Sequence, residues 1–310
     1  MSEINVLYCF DSRFSKLATV SIYSLLKNKH DTTHINLYCM VAPHTYGKRK
    51  IQKVIDKFPH AKIIWRTIRH NENPFRKHDF SRWSPVIFYR LFACDIFPEL
   101  NKILYLDSDT IICSDLTELY NTNISDYAMG AVRDMAPIYD KNHPNGRYVY
   151  NFAHKYLNDD PYYNSGVLLI NAKNMRKNKE ILNINIPLKY PDQDLLNAAF
   201  HNKILPLELK YNYAPGVIIP TFFSDHEIQT IKHKKYSILH FYSIKPYIYL
   251  HIPMYSLFYK LSTELGMHPD EFAKLEQKYI KKQKSTKSCI PGIRIYDDKV
   301  TLFGIITFHL

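Results

Sequence analysis

Glycine is scarce in this chain, at 8 of 310 residues. A phosphate-cradling loop of the GxxxxGK[ST] type needs closely spaced glycines, and none is present. That removes the usual loop of a phosphotransferase or nucleotide hydrolase. The cysteines, Cys9, Cys39, Cys94, Cys113 and Cys289, are odd in number and show no CxxC or other metal-ligand spacing. Four of them sit in apolar runs, where free cysteine behaves as a small buried hydrophobe. The pattern gives no sign of a disulfide framework or a zinc finger and fits a reducing cytoplasm. No apolar run approaches the ~20 residues that span a bilayer. The start, Met1-Ser2-Glu3, lacks the basic and apolar regions of a signal peptide. The expectation is a soluble cytoplasmic protein, or one peripheral to the inner face of the membrane.

What is present is a large apolar fraction and an excess of base. Hydrophobic residues at 46% allow a full-sized core. The balance of 41 Lys+Arg against 29 Asp+Glu gives +12, which permits nucleic acid, anionic lipid or phosphorylated ligands as partners. No recognised nucleic-acid module accompanies that charge. Much of it gathers late, at Lys274, Lys278, Lys281, Lys282, Lys284, Lys287 and Arg294.

Apolar runs at Ile4–Phe10, Ile35–Val41 and Ala61–Ile68 alternate with helical stripes over Leu17–Leu26 and Lys48–Phe58. This rhythm predicts parallel strands with helices on both faces. Val86–Phe97 reads as a further helix. The next run, Lys102 to Leu106, is strand-like and stops in Asp107-Ser108-Asp109. Ligands of open α/β sheets bind outside the carboxyl ends of strands. Two carboxylates one residue apart at such an end can share a divalent cation, and hard oxygen ligands suit Mg²⁺ or Mn²⁺. Strands are expected again at Tyr127–Val132, Gly166–Asn171 and Ser237–Tyr242, and a helix over Gln193–Phe200. Asp140–Pro161 reads as a polar, aromatic excursion beside the site. Pro269-Asp270-Glu271 suits a helix start, and Val300–Leu310 an apolar, strand-like or amphipathic end.

Ile103-Leu104-Tyr105-Leu106-Asp107-Ser108-Asp109-Thr110, followed by Asp115-Leu116, resembles the signature of glycosyltransferase family 8. Further segments resemble that family in order and spacing: Asn5 to Asp11, Tyr89-Arg90-Leu91, Tyr163 to Asn171, Tyr190 to Asn197, and Leu239-His240-Phe241 with Lys245-Pro246. The resemblance implies a GT-A type fold, a Rossmann-like mixed sheet flanked by helices, over residues 1–265. Residues 266–310 are expected as a small basic helical extension and membrane-surface anchor. It implies retaining, Mn²⁺-dependent transfer of galactose or glucose from a UDP-hexose to a bacterial surface glycan such as lipopolysaccharide, without nucleic acid as partner. By the same resemblance Asp107, Asp109 and His240 hold the metal. Lys245 meets the diphosphate, in a loop lacking the family's glycine and one residue shorter. Asp11 contacts uracil or ribose, and Ser108 lies within the donor site. Arg90 pairs with sugar-binding acids or a phosphate. Asp134, Asn164 and Ser165 lie on the sugar side, and Asp192, Gln193 and Asp194 form the catalytic block. Gln193 is a poor nucleophile, so front-face displacement is favoured over a covalent route through Asp192 or Asp194. Two alternatives stay open: a nucleic-acid- or anionic-surface-binding protein, and a catalytically inactive sugar-nucleotide-binding relative.

Overall fold

A computed structural model describes residues 2–78, 83–134, 144–178, 180–215, 236–242 and 253–268, together with three short segments after residue 292. Two compact units divide at Lys245/Pro246, whereas the sequence placed a boundary at 265/266. Each is described by itself.

The first unit is built on a seven-stranded sheet. Its strands are β1 (Glu3–Phe10), β2 (His34–Val41), β3 (Ala61–Thr67), β4 (Lys102–Leu106), β6 (Met129–Arg133), β7 (Tyr163–Asn171) and β8 (Ile204–Pro206), in spatial order β3-β2-β1-β4-β7-β6-β8. Ile103, Leu104, Tyr105 and Leu106 of β4 are fully buried. An unbroken apolar run of this kind marks a strand covered on both faces. The helices are α1 (Ser15–Asn28), α2 (Lys48–Ile55), α3 (Tyr89–Ile96), α4 (Thr117–Asn121), α5 (Pro144–Tyr156), α6 (Ala172–Lys177) and α7 (Pro191–Phe200). In α2 the expected stripe, Ile51, Val54 and Ile55, is the buried face. The α3 segment begins three residues later than the pattern predicts, because Pro85 opens a 3₁₀ turn over Pro85–Phe88 that Ser84 caps. The excursion expected at 140–161 contains α5, whose Val149 and Phe152 are buried with Leu157 and Tyr162.

Strand directions explain where the polar residues collect. β1 runs parallel to β2 and to β4. β7 runs antiparallel to both β4 and β6, so β6 shares the direction of β4. The carboxyl ends of β1, β4 and β6 and the amino end of β7 therefore lie along one edge of the sheet. That edge carries Asp11, Asp107, Asp134, and the Asn164-Ser165 pair.

β4 ends where the acids begin, as its apolar run predicts. It stops at Leu106, the acids turn, and β5 (Thr110–Ile112) pairs antiparallel with β9 (Ile238–His240) in a separate two-stranded ribbon. Thr110 stands opposite His240 in that ribbon. A buried hydroxyl chain anchors it: Tyr8 Oη lies 2.9 Å from Ser21 Oγ, which lies 2.8 Å from Thr110 Oγ1. Ser24 Oγ also accepts from the Ile112 amide at 2.9 Å.

The second unit holds α8 (Pro253–Glu264) and an antiparallel meander of β10 (Ile293–Tyr296), β11 (Lys299–Leu302) and β12 (Ile306–His309). The described end of the chain is thus strand rather than helix, since alternating Ile-Arg-Ile and Val-Thr-Leu pairs suit a ladder. The helix start expected at Pro269 lies outside the described residues, as does Lys245.

Candidate metal and sugar-nucleotide site

Asp107, Asp109 and His240 offer one ligand atom each, all within 4.8 Å of one another. His240 Nε2 stands 3.5 Å from Asp107 Oδ2 and 3.4 Å from Asp109 Oδ1. His240 is almost wholly buried, and among the described residues this nitrogen has no hydrogen-bond partner. An orphaned ring nitrogen facing two carboxylates costs free energy unless something else fills the gap. Gly166 lets the two side chains approach its backbone: a Cβ there would lie 2.0 Å from His240 Cε1 and 2.8 Å from Asp107 Oδ2. Imidazole plus two carboxylates is a donor set that fits Mn²⁺ or a similar divalent ion. Burial alone would lower the pKa of His240, but the two carboxylates outweigh it and raise the group to about 9.

Arg90 organises the other side of Asp107. Its Nη2 lies 2.9 Å from Asp107 Oδ1, its Nη1 lies 3.4 Å from Asp192 Oδ2 and donates at 2.7 Å to the Ser165 carbonyl, and its guanidinium lies over the Tyr105 ring. Arg90 thus pairs with two acids, Asp107 and Asp192. Tyr105 also donates to Asp107 Oδ1. That oxygen is thereby occupied, and Oδ2 is the one left toward His240. Burial works to raise the Asp107 pKa, yet Arg90 and His240 hold it below the usual carboxylate range. Asp192 moves the other way, because burial outweighs its Arg90 and Ser165 contacts.

The residues expected on the sugar side join the same network. Ser165 Oγ donates to Asp192 Oδ2 at 2.9 Å, and the Ser165 amide donates to Gln193 Oε1 at 3.0 Å. Gln193 Nε2 and Asn164 Nδ2 both donate to Asp134 Oδ2, at 2.8 and 3.0 Å. Pro191 at the start of α7 aims this block at the sheet edge, and Asp192 and Gln193 occupy the first turn.

Asp194 faces elsewhere. Its Oδ2 accepts from Tyr148 Oη at 2.7 Å and from the amides of Lys189 and Tyr190, each at 2.8 Å, while Oδ1 accepts from Tyr162. Asp11 sits at the end of β1, where its Oδ2 accepts from Ser84 at 2.9 Å and from the Arg13 guanidinium at 2.8 Å. Burial opposes ionisation there, but the Arg13 and Ser84 bonds bring its pKa below the ordinary value. The Ser108 hydroxyl is buried and has no hydrogen-bond partner among the described residues.

Sequence reasoning missed Tyr105, Gly166, and Asn212, whose Oδ1 lies 2.8 Å from His240 Nδ1. Gly166 carried a readable signal, being one of only 8 glycines. Asn212 carried none, because it lies in a loop and its partner is on β9, 28 positions later.

Residues 5–249 match the family model described as Glycosyl transferase family 8. The chain belongs to glycosyltransferase family 8. Among family relatives, lipopolysaccharide 1,2-glucosyltransferase of Escherichia coli is 30% identical over 227 residues, 67% of this chain and 62% of that protein. The K12 strain protein of the same name is 26% identical, again over 67% of this chain and 62% of its own length. This family 8 chain thus spans about three fifths of the length of those relatives. In fold it is similar to the galactosyltransferase LgtC solved with donor and acceptor sugar analogues, with a TM-score of 0.66 at 20% identity, covering 87% of this chain and 99% of that one. The bifunctional glycosyltransferase WbbM gives 0.72 at 20% identity over 91% of this chain and 52% of its own. These likenesses agree with the GT-A type expectation for the first unit.

Proposed function

We propose that the chain is a retaining, Mn²⁺-dependent glycosyltransferase that moves galactose or glucose from a UDP-hexose to a bacterial surface glycan such as lipopolysaccharide. The observation that carries this reading is the convergence of Asp107, Asp109 and His240 on one point, at the sheet edge of a family 8 fold. The lipopolysaccharide glucosyltransferases among the relatives support the acceptor class.

When bound, a divalent cation held by Asp107, Asp109 and His240 neutralises donor diphosphate charge. The protein's own groups supply the rest. Tyr105 and Arg90 fix Asp107 so that one oxygen stays directed at His240. Arg90 also holds Asp192 and the Ser165 carbonyl, tying the nucleotide side to the sugar side through one cation. Asp11 orients the uridine, Ser108 lies beside the nucleotide, and Lys245 meets the diphosphate as a point charge. Asp134, Asn164, Asp192 and Gln193 grip sugar hydroxyls through charge-assisted and neutral hydrogen bonds.

Gln193 keeps its amide oriented between Ser165 and Asp134, next to the sugar. With an amide in that position, the acceptor hydroxyl attacks the face from which UDP departs, and the leaving phosphate takes its proton. Asp194 keeps a place in the catalytic block by positioning α7, since both its oxygens already accept from neighbours.

A panel of UDP-sugars with Mn²⁺, scored for donor hydrolysis without acceptor, tests the reading. UDP-galactose or UDP-glucose should be hydrolysed, and Asp109→Ala should remove the metal-dependent rate. Undiminished turnover by that variant would sink the metal assignment.

A further inference from the structure

The polar residues behind the candidate metal centre form a chain with a direction. Asp134 Oδ2 accepts from Asn164 Nδ2 at 3.0 Å. An ionised carboxylate only accepts, so it decides which end of the Asn164 amide faces it. Asn164 Oδ1 must then point the other way. There it accepts from the Gly166 amide at 2.9 Å and from Asn212 Nδ2 at 2.9 Å. Asn212 is left with Oδ1 toward the imidazole, 2.8 Å from His240 Nδ1. An acceptor at that distance requires a proton on Nδ1. The lone pair of the neutral ring is then on Nε2, the nitrogen that faces Asp107 and Asp109.

Backbone register holds the last link in place. Tyr213 bridges to Leu239 beside β9, its amide donates to the Ile238 carbonyl at 3.0 Å, and its carbonyl accepts from the His240 amide at 2.8 Å. Asn212 and His240 are therefore fixed relative to one another by main chain as well as by side chain. Asn212 is 2% exposed, so no water supplies an easy substitute. Turning the Asn164 amide over would set acceptor against acceptor at Asp134 and donor against donor at Gly166 and Asn212, and turning Asn212 over would set its oxygen against that of Asn164.

We propose that Asn212 is a positioning residue, the end of an Asp134–Asn164–Asn212 relay that presents His240 Nε2 as the metal-ligating nitrogen. The inference rests on the metal reading above. It adds a role for a residue that touches neither metal nor sugar, and it couples Asp134 on the sugar side to the metal ligand. Hydrogen-bond partners of ligating histidines commonly set ring orientation and tautomer, and their loss typically lowers metal affinity about 10–100-fold.

The test uses the full chain, with Mn²⁺ affinity read by electron paramagnetic resonance. Cadmium serves as a diamagnetic stand-in, and scalar coupling from labelled histidine nitrogen to the metal names the ligating atom. The expected results are coupling to Nε2 in the native protein, and about 10–100-fold weaker Mn²⁺ binding in Asn212→Leu. Asn212→Asp should lose less, because a carboxylate still accepts from Nδ1. Should Asn212→Leu fail to fold, the native cadmium spectrum and Asn212→Asp decide. Coupling to Nδ1, or Mn²⁺ affinity untouched in both variants, would overturn the relay while leaving the metal centre standing. Native protein that binds no Mn²⁺, and is indistinguishable from Asp109→Ala, would remove the metal reading and the relay together.

Discussion

At the scale of single residues, the site depends on one hydrogen atom. Gly166 lies on β7 with a conventional backbone, so its identity is dictated by space rather than by φ. An alanine methyl would collide with His240 and Asp107. Overpacking a tight interior costs about 1–3 kcal/mol. Gly166→Ala should melt several degrees lower and lose measurable Mn²⁺ binding, with both read on the same sample. Asp194 gives the opposite kind of prediction. Its carboxylate accepts four hydrogen bonds, and an amide cannot accept all of them. Asp194→Asn should therefore destabilise by about 1–3 kcal/mol, the cost of stranded buried donors. Activity should fall in step with the folded fraction. A variant of native melting temperature with no donor hydrolysis would instead point to a nucleophile. The third prediction concerns protons. In the metal-free protein the His240 pKa is raised to about 9, above its ordinary 6.5, by Asp107 and Asp109 against the effect of burial. This charge pairing contributes stability that is fully present below about pH 6.5 and is lost as pH rises through 9. Metal needs the neutral ring, so binding must release that proton. Mn²⁺ affinity should gain about tenfold per pH unit below 9 and then level off. Calorimetry in buffers of different ionisation enthalpy would count the proton.

Elements decide which of these residues meet. The ribbon of β5 and β9 carries His240 back to acids more than a hundred positions earlier in the chain, and the Tyr8–Ser21–Thr110 hydroxyls lock that ribbon to β1 and α1. Apolar periodicity made β1 to β4 and α1 to α2 legible, because strands buried on both faces leave continuous runs in the sequence. It also ended β4 at the acids, but it did not reveal that Thr110-Ile111-Ile112 forms a strand of its own, since three residues are too short a run to read. Nor did it reveal α5, whose exposed face interrupts the pattern and whose buried face is aromatic. The candidate metal ligands were legible through motif order, whereas Asn212 was not, because a lone asparagine after Tyr211 has no local signature. α5 is joined to α7 through Tyr148, which donates to Asp194 and accepts from the Lys189 amide at 3.1 Å. Tyr148→Phe removes both bonds while keeping the ring. Amide exchange over 146–156 should accelerate about five- to thirtyfold, the factor that follows from 1–2 kcal/mol. Unchanged exchange would mean that packing of Phe152 and Tyr162 alone docks the helix.

Over the whole molecule the charge is unevenly written. The net +12 coexists with an acidic centre at Asp107, Asp109, Asp134 and Asp192, while Lys274 through Arg294 crowd seven cations into the second unit. An enzyme acting on a glycolipid would gain from a basic surface that concentrates it at an anionic leaflet. Each lysine near such a surface contributes about 1 kcal/mol, and a few acting together give reversible rather than permanent attachment. No helix among the described residues is long and apolar enough to cross a membrane. Replacing Lys278, Lys281, Lys282 and Lys284 by glutamate leaves the family 8 unit's sequence intact and reverses the local charge. The variant should lose co-sedimentation with vesicles of anionic phospholipid but keep donor hydrolysis in solution. Native binding should also weaken steeply between low and physiological salt, because screening shortens the reach of each lysine to about 8 Å. Equal sedimentation of native protein and variant at low salt would show that these lysines are only a solvated face.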